Sequence, residues 1–434
     1  MPARQITAAP YGHVLTNAAV WSPDSRWIVY DTRSSAAGTA FDGTRIERVD
    51  AETGRVEVLY ESRHDACCGV ATCSPLDDRV VFILGPEHPA ADWTYGAARR
   101  QGVVVRAARP GIAEPLDARD LTPPFTAGAL RGGSHVHLFS ADAAAVSFTY
   151  EDAVLEAAAA GSAANLRGVG VTACGREVRV PTSHARNHDG SGFSVLVTEL
   201  TAAPRPGSDE ISRACEEAWI GSSGYRRADG SRQRRALAFQ GHVRSTAGGT
   251  IAEVFVVDLP DELADLSQPG AGPLSGTASS LPAPPATVAQ RRITTTADRR
   301  HPGIQGPRHW LRSSPDGEHI AFLMKDDAGI VQLFTVSPRG GSPRQLTRLP
   351  RSVASSFTWS PDGGQLACVA DGSVCLVEIA DGGTRRLTPP EQGSSAPRPE
   401  ACVFAPDGSR VAYMRRVPDE RGGHDQVFVA ATGT

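Results

Sequence analysis

The chain has 434 residues, 40% of them hydrophobic, so it can bury a large core, and length alone would suggest several ordinary domains. A formal charge of −4 and a pI of about 6.3 remove any bulk electrostatic reason to bind nucleic acid or an acidic membrane surface. Eight cysteines without a CxxC spacing point to neither a zinc ribbon nor a disulfide framework, and read as reduced, mostly buried small residues.

The opening residues lack the apolar core of a secretory leader, and no run of about 18 apolar residues could span a bilayer, so the reading is a cytoplasmic protein without a membrane partner. The first recurring element is "RQIT" at 4–7. It returns as "RDLT" at 119–122, "RRIT" at 291–294, "RQLT" at 344–347 and "RRLT" at 385–388, each read as a short outer strand. The second element starts at Trp21 as "WSPDSRWIVYDTR", with clear copies from Ser313, Trp359 and Phe404 and worn ones from Cys73 and Phe139. Each reads as a strand end, a tight turn at Pro-Asp-Gly and a second strand of alternating apolar residues, which is a β-hairpin.

Residues 131–148, "RGGSHVHLFSADAAAVSF", are one of the worn copies and carry His135 and His137. Further on, residues 206–224 have Ser208 as an N-cap and acidic residues in the first turn, which predicts a short helical insertion. Residues 225–241 followed by 252–260 have the form of a fourth blade. Residues 261–290, rich in Pro, Gly, Ala and Ser, are expected to be a flexible excursion.

The copies at 313, 359 and 404 recur at about 45 residues, the period of a four-stranded propeller blade. The fold class is therefore all-β, a single seven-bladed β-propeller over residues 1–434, with six or eight blades as alternatives. "RQIT" precedes the first hairpin and no such strand follows "QVFVAATGT". The N-terminal strand must then complete the last blade and close the ring, which removes an exposed edge.

Aligning the copies on Trp21 puts Asn17, Gly69, His135, His309, Ser355 and Glu400 at one position near the channel mouth. His137, two residues from His135, is expected on the same face of its strand. Imidazoles with a carboxylate suit a divalent metal (Zn, Mn, Fe, Ni or Ca), with His135, His137 and His309 as ligands. The plain counterpart is a set of channel histidines bonded to carbonyls and water. Arg131 beside Gly132-Gly133, and Arg308 with Trp310, offer an anion fork, a close backbone approach and a stacking plane for a small anionic ligand. Alternatively, the arginines pair with neighbouring acids and Trp310 packs between blades. His13 and His64 lie in segments expected to loop over the same face, and "SHARNHDGSGF" at 183–193 gathers further polar residues. Nucleophile-elbow, Walker A and dinucleotide motifs are lacking.

The "RQLT…WSPDG" cadence resembles the WD40-like repeats of TolB-type propellers over most of the chain. "GHVLTNAAVWSPDS", "LRGGSHVHLFS", "RPGSDEI" and "GYRRADGSRQRRALAF" look like the YidR-like bacterial proteins, a family of unknown function. The resemblance implies a propeller and supplies no reaction. Seven-bladed propellers similar in architecture include lyases and hydrolases whose channel histidines and arginines, sometimes with a metal, act on uronic-acid sugars. By that likeness His135 or His309 would be a base or metal ligand and Arg131 a carboxylate clamp, with a saccharide as the ligand. The other function class is a non-catalytic scaffold that grips a protein partner.

Overall fold

The computed structural model describes residues 3–34, 40–158, 166–307, 310–420 and 422–433. Among them are seven four-stranded antiparallel sheets, one per blade, arranged as a β-propeller. The inner strands of successive blades are Gly12–Val14, Cys68–Cys73, Gly132–Phe139, Ile211–Trp219, Arg312–Ser313, Thr358–Trp359 and Pro397–Phe404. No helix among the described residues is long and apolar enough to cross a membrane.

The Ser-Pro-Asp-Gly turns form because their own side chains replace the hydrogen bonds that the reversing backbone loses. Ser22, Ser140, Ser314 and Ser360 each donate to the Asp two residues on, at 2.5–2.6 Å. Each of those serines also accepts the backbone N–H five residues ahead. The next position is left-handed, and Gly317, Gly363 and Gly408 occupy it without strain. Ser25 holds the same conformation at φ 59°, and its hydroxyl recovers part of the cost by accepting the Asp407 N–H of blade seven.

Adjacent blades are tied at their inner strands by a second recurring device. The indoles of Trp21, Trp219 and Trp359 donate to the carbonyls of Val403, Leu138 and Arg312, each on the preceding blade. In the other direction, Thr16, Thr72 and Thr358 donate to Ala71, His137 and Cys402 on the following blade. Between these bonds lie apolar layers such as Phe322 and Phe334, fully buried and stacked 6.2 Å apart. Each such ring contributes about 2–3 kcal/mol by its burial.

The ring closes as the sequence requires: Arg4–Gln5 pairs with Val429 and Phe428 of the last strand, His424–Ala431. Ile6 is buried behind the seam and the Thr7 hydroxyl donates to Gln426 Oε1. Deleting residues 1–7 leaves that strand as an open edge. The expected outcome is faster amide exchange across residues 424–431 than across blade three, together with a lower Tm; equal protection would mean the seam contributes little.

Four sequence expectations are corrected. Residues 206–224 do not form a helix, because Ile211–Trp219 is the inner strand of blade four, paired with Arg235–Arg244. The rest of that blade is Thr250–Leu259 and Ala289–Arg292, and the expected hairpin start at 225–233 is a separate two-stranded ribbon. Residues 261–290 are anchored: Leu266 and Leu274 are buried in the core of blades three and four, and the Thr277 and Ser280 carbonyls accept hydrogen bonds from Arg131. "RDLT" does not finish a blade, since Ala118–Arg119 pairs in parallel with Ala129–Leu130.

Candidate functional site

Four of the inner strands carry a bulge at the same height. Register slips between Gly69 and Thr72, His135 and Leu138, Cys215 and Ala218, and Pro397 and Cys402. At the first three, Val70, Val136 and Glu216 take φ near 59°. A β-branched residue with positive φ is strained, and such strain persists only where surrounding contacts hold it. At Val70 one such contact is visible: its N–H donates to Asp31 Oδ1 at 2.9 Å.

The bulges re-aim the side chains at the mouth of the central channel. A cavity of about 300 Å³ opens there, walled by Val70, Val136, Met414, Phe41 and Trp310. Its polar lining is Asn17, Asp31, Arg33, Glu400 and Asp425. Behind Asn17, the buried Arg312 guanidinium donates to Asn17 Oδ1, a bond between blades five and one. The Arg312 side chain sits in the field of Glu216 and Glu217. Burial pushes the Glu217 carboxyl up to about 8, although the Thr149 hydroxyl donates to it at 2.8 Å.

Two carboxyls of the cavity, Asp31 and Asp425, are poised differently from surface acids. Burial raises Asp31 even though the Arg33 guanidinium lies 2.6 Å away. Burial also raises Asp425, against the pull of Arg398 and Arg416 at 3.3 and 3.6 Å. The Arg33 guanidinium lies over Phe41, which stacks on Tyr95 at 4.7 Å. The Trp310 indole N–H is buried without a hydrogen-bond partner among the described residues, which leaves a donor for a ligand or water.

Of the sequence-predicted residues, Asn17, Trp310 and Glu400 come together in this cavity. His309 and Arg308 lie outside the described residues. His135 is buried and its Nδ1 has no partner there; desolvation and the nearby Arg100, Arg167 and Arg213 push its pKa well below the imidazole range, so it is neutral. The bulge breaks the two-residue alternation, and Val136 lines the cavity where the histidines were expected. His137 instead sits between blades two and three, its Nε2 2.9 Å from Ser134 Oγ, which donates to buried Asp117. Glycine at 102 is required there, because a Cβ would fall 2.6 Å from that imidazole nitrogen.

Arg131 is not a clamp in the funnel. It is fully buried, with both Nε and Nη2 on Asp152, and its remaining donors reach the Thr277 and Ser280 carbonyls. The neighbouring Gly132 and Gly133 let the chain approach its own backbone at Glu151 and Ala97. His13 is an inner-strand residue stacked 4.8 Å from Tyr11 and hydrogen-bonded to the Asp425 carbonyl, and burial lowers it to about 4. His64 is exposed and stacks on His88 at 4.0 Å, away from the cavity.

Among the described residues no group of three or more His, Cys, Asp or Glu side chains is placed to hold a metal ion, and His309, one of the three expected ligands, lies outside them. The sequence reading also missed Asp31, Arg33 and Asp425. A signal for them exists: charges within the strands "WIVYDTR" and "HDQVFVAA", otherwise almost wholly apolar or buried, need a structural or functional reason.

Comparison with known proteins extends the picture. A family model described as a protein of unknown function (DUF3748) matches residues 67–188. Two solved structures share the fold: an oligogalacturonate lyase in complex with manganese (TM-score 0.58, 12% identity, covering 99% of this chain and 96% of that one) and an oligogalacturonate lyase from Vibrio parahaemolyticus (TM-score 0.56, 9% identity, 99% and 93%). The uncharacterized protein YidR of Escherichia coli (strain K12) is 45% identical over 412 residues, which span 95% of this chain and 94% of that protein. With that identity over nearly the whole length, and with the seven blades and closing strand in place, the chain belongs to the YidR family of β-propellers.

Proposed function

We propose that the funnel binds a small, polyhydroxylated ligand of the saccharide class, with Asp31 and Asp425 as its proton-exchanging groups. One observation carries this reading: a single cavity combines two aromatic planes, Trp310 and Phe41, with two carboxyls, Asp31 and Asp425, that burial raises above the ordinary carboxylate value. Aromatic faces stack on sugar rings, carboxylates accept hydroxyl hydrogens, and a carboxyl raised by burial holds its proton more readily than a surface acid does. The volume lies at the lower end for small-molecule sites and suits a ligand of one or two rings.

The funnel lining sets Asp31, Glu400 and Asp425 against Arg33, itself paired to Asp31, so a neutral sugar fits it better than an acidic one. This departs from the anionic ligand that the sequence suggested through Arg131. The solved relatives of this fold are named for oligogalacturonate; at 12% and 9% identity that name supports the architecture alone.

The test is calorimetric titration of glucose, galactose and their disaccharides into the wild type, Trp310→Ala and Asp31→Asn. A neutral sugar is expected to bind, and Trp310→Ala to weaken it by about tenfold, the worth of one stacking plane and its N–H donor. If no neutral sugar binds, or if the two variants bind as the wild type does, the funnel is not the ligand site.

A further inference from the structure

The face of the disc that carries the funnel has a second cavity, of about 340 Å³, at the boundary of blades two and three. It shares no lining residue with the funnel. Its centre is Trp93, half-buried on the loop between the second and third strands of blade two. Three guanidinium groups gather on this one indole: Arg99 at 5.4 Å, Arg119 at 5.7 Å and Arg186 at 5.9 Å from the ring centroid. Three like charges around one ring repel each other unless an anion or fixed dipoles compensate them.

Fixed dipoles do part of this. Arg186 donates to the Glu87 and His88 carbonyls at 2.7 and 2.8 Å, and Arg119 donates to the Gly132 and Arg100 carbonyls. Glu156 pairs with Arg99 at 3.2 Å. Each guanidinium has five N–H groups, so donors remain on all three, and Arg99 Nε is buried without a partner among the described residues. The lining contains a single carboxylate, Glu87, against the three arginines.

The same cavity holds an unmatched acceptor. His188 Nδ1 lies 3.2 Å from the Asp189 carbonyl and must donate to it, which leaves Nε2 as a bare lone pair, buried and without a partner among the described residues. Burial, reinforced by Arg119, lowers this imidazole to about 3, so Nε2 stays an acceptor at neutral pH. Unused cationic donors with a hydrogen-bond acceptor in one pocket ask for a ligand that has an oxyanion and a hydroxyl.

We propose that the pocket over Trp93 is a second ligand site, one that takes a small hydroxylated organic acid, with Arg99, Arg119 and Arg186 holding the oxyanion and His188 Nε2 accepting the hydroxyl. The residues come from the loop of blade two, from the short Ala118–Arg119 strand and from the 183–193 loop, so the segment that was only a polar turn in the sequence supplies two of the recognition groups. The site is separate from the funnel and stands or falls without it.

The experiment is titration of D-glucuronate, D-glucose and inorganic phosphate into the full chain by calorimetry, with Arg99→Gln, Arg186→Gln and His188→Phe as site variants and Trp310→Ala as the funnel control. Glucuronate is expected to compete with phosphate. Either arginine variant should weaken it by about tenfold, as for one charge-assisted bond. His188→Phe should weaken glucuronate and spare phosphate, and Trp310→Ala should change neither. If Arg186→Gln proves unfolded by circular dichroism, Arg186→Lys keeps the charge and loses the fork, and the same weakening is expected. Three results would overturn the proposal: no glucuronate binding at about 10 mM, phosphate binding alone, or loss of glucuronate binding in Trp310→Ala with the arginine variants unaffected.

Discussion

Replacing Arg131 by methionine is expected to cost about 3–5 kcal/mol of stability, the usual result of removing one member of a buried ion pair. Methionine fills much of the volume but leaves Asp152, 2% exposed, without its 2.6 Å partner. The Tyr150 hydroxyl at 2.9 Å and the Leu155 N–H at 2.8 Å would remain on that carboxylate and could not neutralise it. The same change frees the Thr277 and Ser280 carbonyls, so faster amide exchange is expected across residues 274–283. Urea unfolding of Arg131→Met and of Arg131→Met/Asp152→Leu separates the parts: the double variant should recover stability, because no charge is then left buried alone. A loss below about 1 kcal/mol in the single variant would mean that Arg131 is solvated, and would return it to the list of ligand-facing residues.

Stability should also fall on mild acidification, beginning near pH 6.5. Burial lowers His13 to about 4 and His137 to about 3 in the folded protein, below the ordinary imidazole value of 6.5. The unfolded chain therefore binds more protons than the folded one between those limits. The contribution of each histidine is whole above pH 6.5 and is lost as the pH falls toward 3–4, about 3–5 kcal/mol apiece over the full window. The carboxyls raised by burial act with the opposite sign, since the folded state takes up their protons first: Glu217 most of all, pushed up to about 8, with Asp31, Asp117 and Asp425 beside it. Buried His135 and His188, also lowered, add to the loss, and comparing the wild type with a variant of one imidazole separates the histidine part from the carboxyl offset. Urea midpoints measured at pH 7.5 and 5 should differ clearly in the wild type and less in His137→Gln, which lacks the titrating ring. An equal pH slope in both proteins would show that His137 is solvated and titrates normally.

Much of the architecture was legible because its chemistry is local. The bonds from Ser22, Ser140, Ser314 and Ser360 to the Asp two residues on stay within a single turn, so a short repeated string reports them. The channel ring was partly legible for the same reason. Counting back from each turn places Asn17 and Glu400 near the mouth, and there they are found.

The failures have definite physical causes. "SDEISRACEEAW" carries the acids and the capping serine of a helix start, but blade four needs an inner strand, and pairing of Ile211–Trp219 with Arg235–Arg244 outweighs weak local propensity. The step from His135 to His137 assumed unbroken alternation. One extra residue at Val136 turned the second imidazole in between the blades, and no residue type in that segment announces a bulge. Arg131 looked like an exposed clamp because its partners are distant: Asp152 is on the next strand, and the Thr277 and Ser280 carbonyls belong to a segment nearly 150 residues away.

The sequence by itself determined the repeat, the blade count and the closing of the ring, since these follow from turns and strands whose bonds lie within a few residues or within one period. Only the tertiary structure decided which polar groups face open space. Asp31, Asp425 and Trp310 meet in the funnel while Arg131, His13 and His137 are sealed between blades. The physical reason is that exposure and pKa depend on what the neighbouring blade and the long insertions bring alongside a side chain, and that contact is absent from the residue's own stretch of sequence.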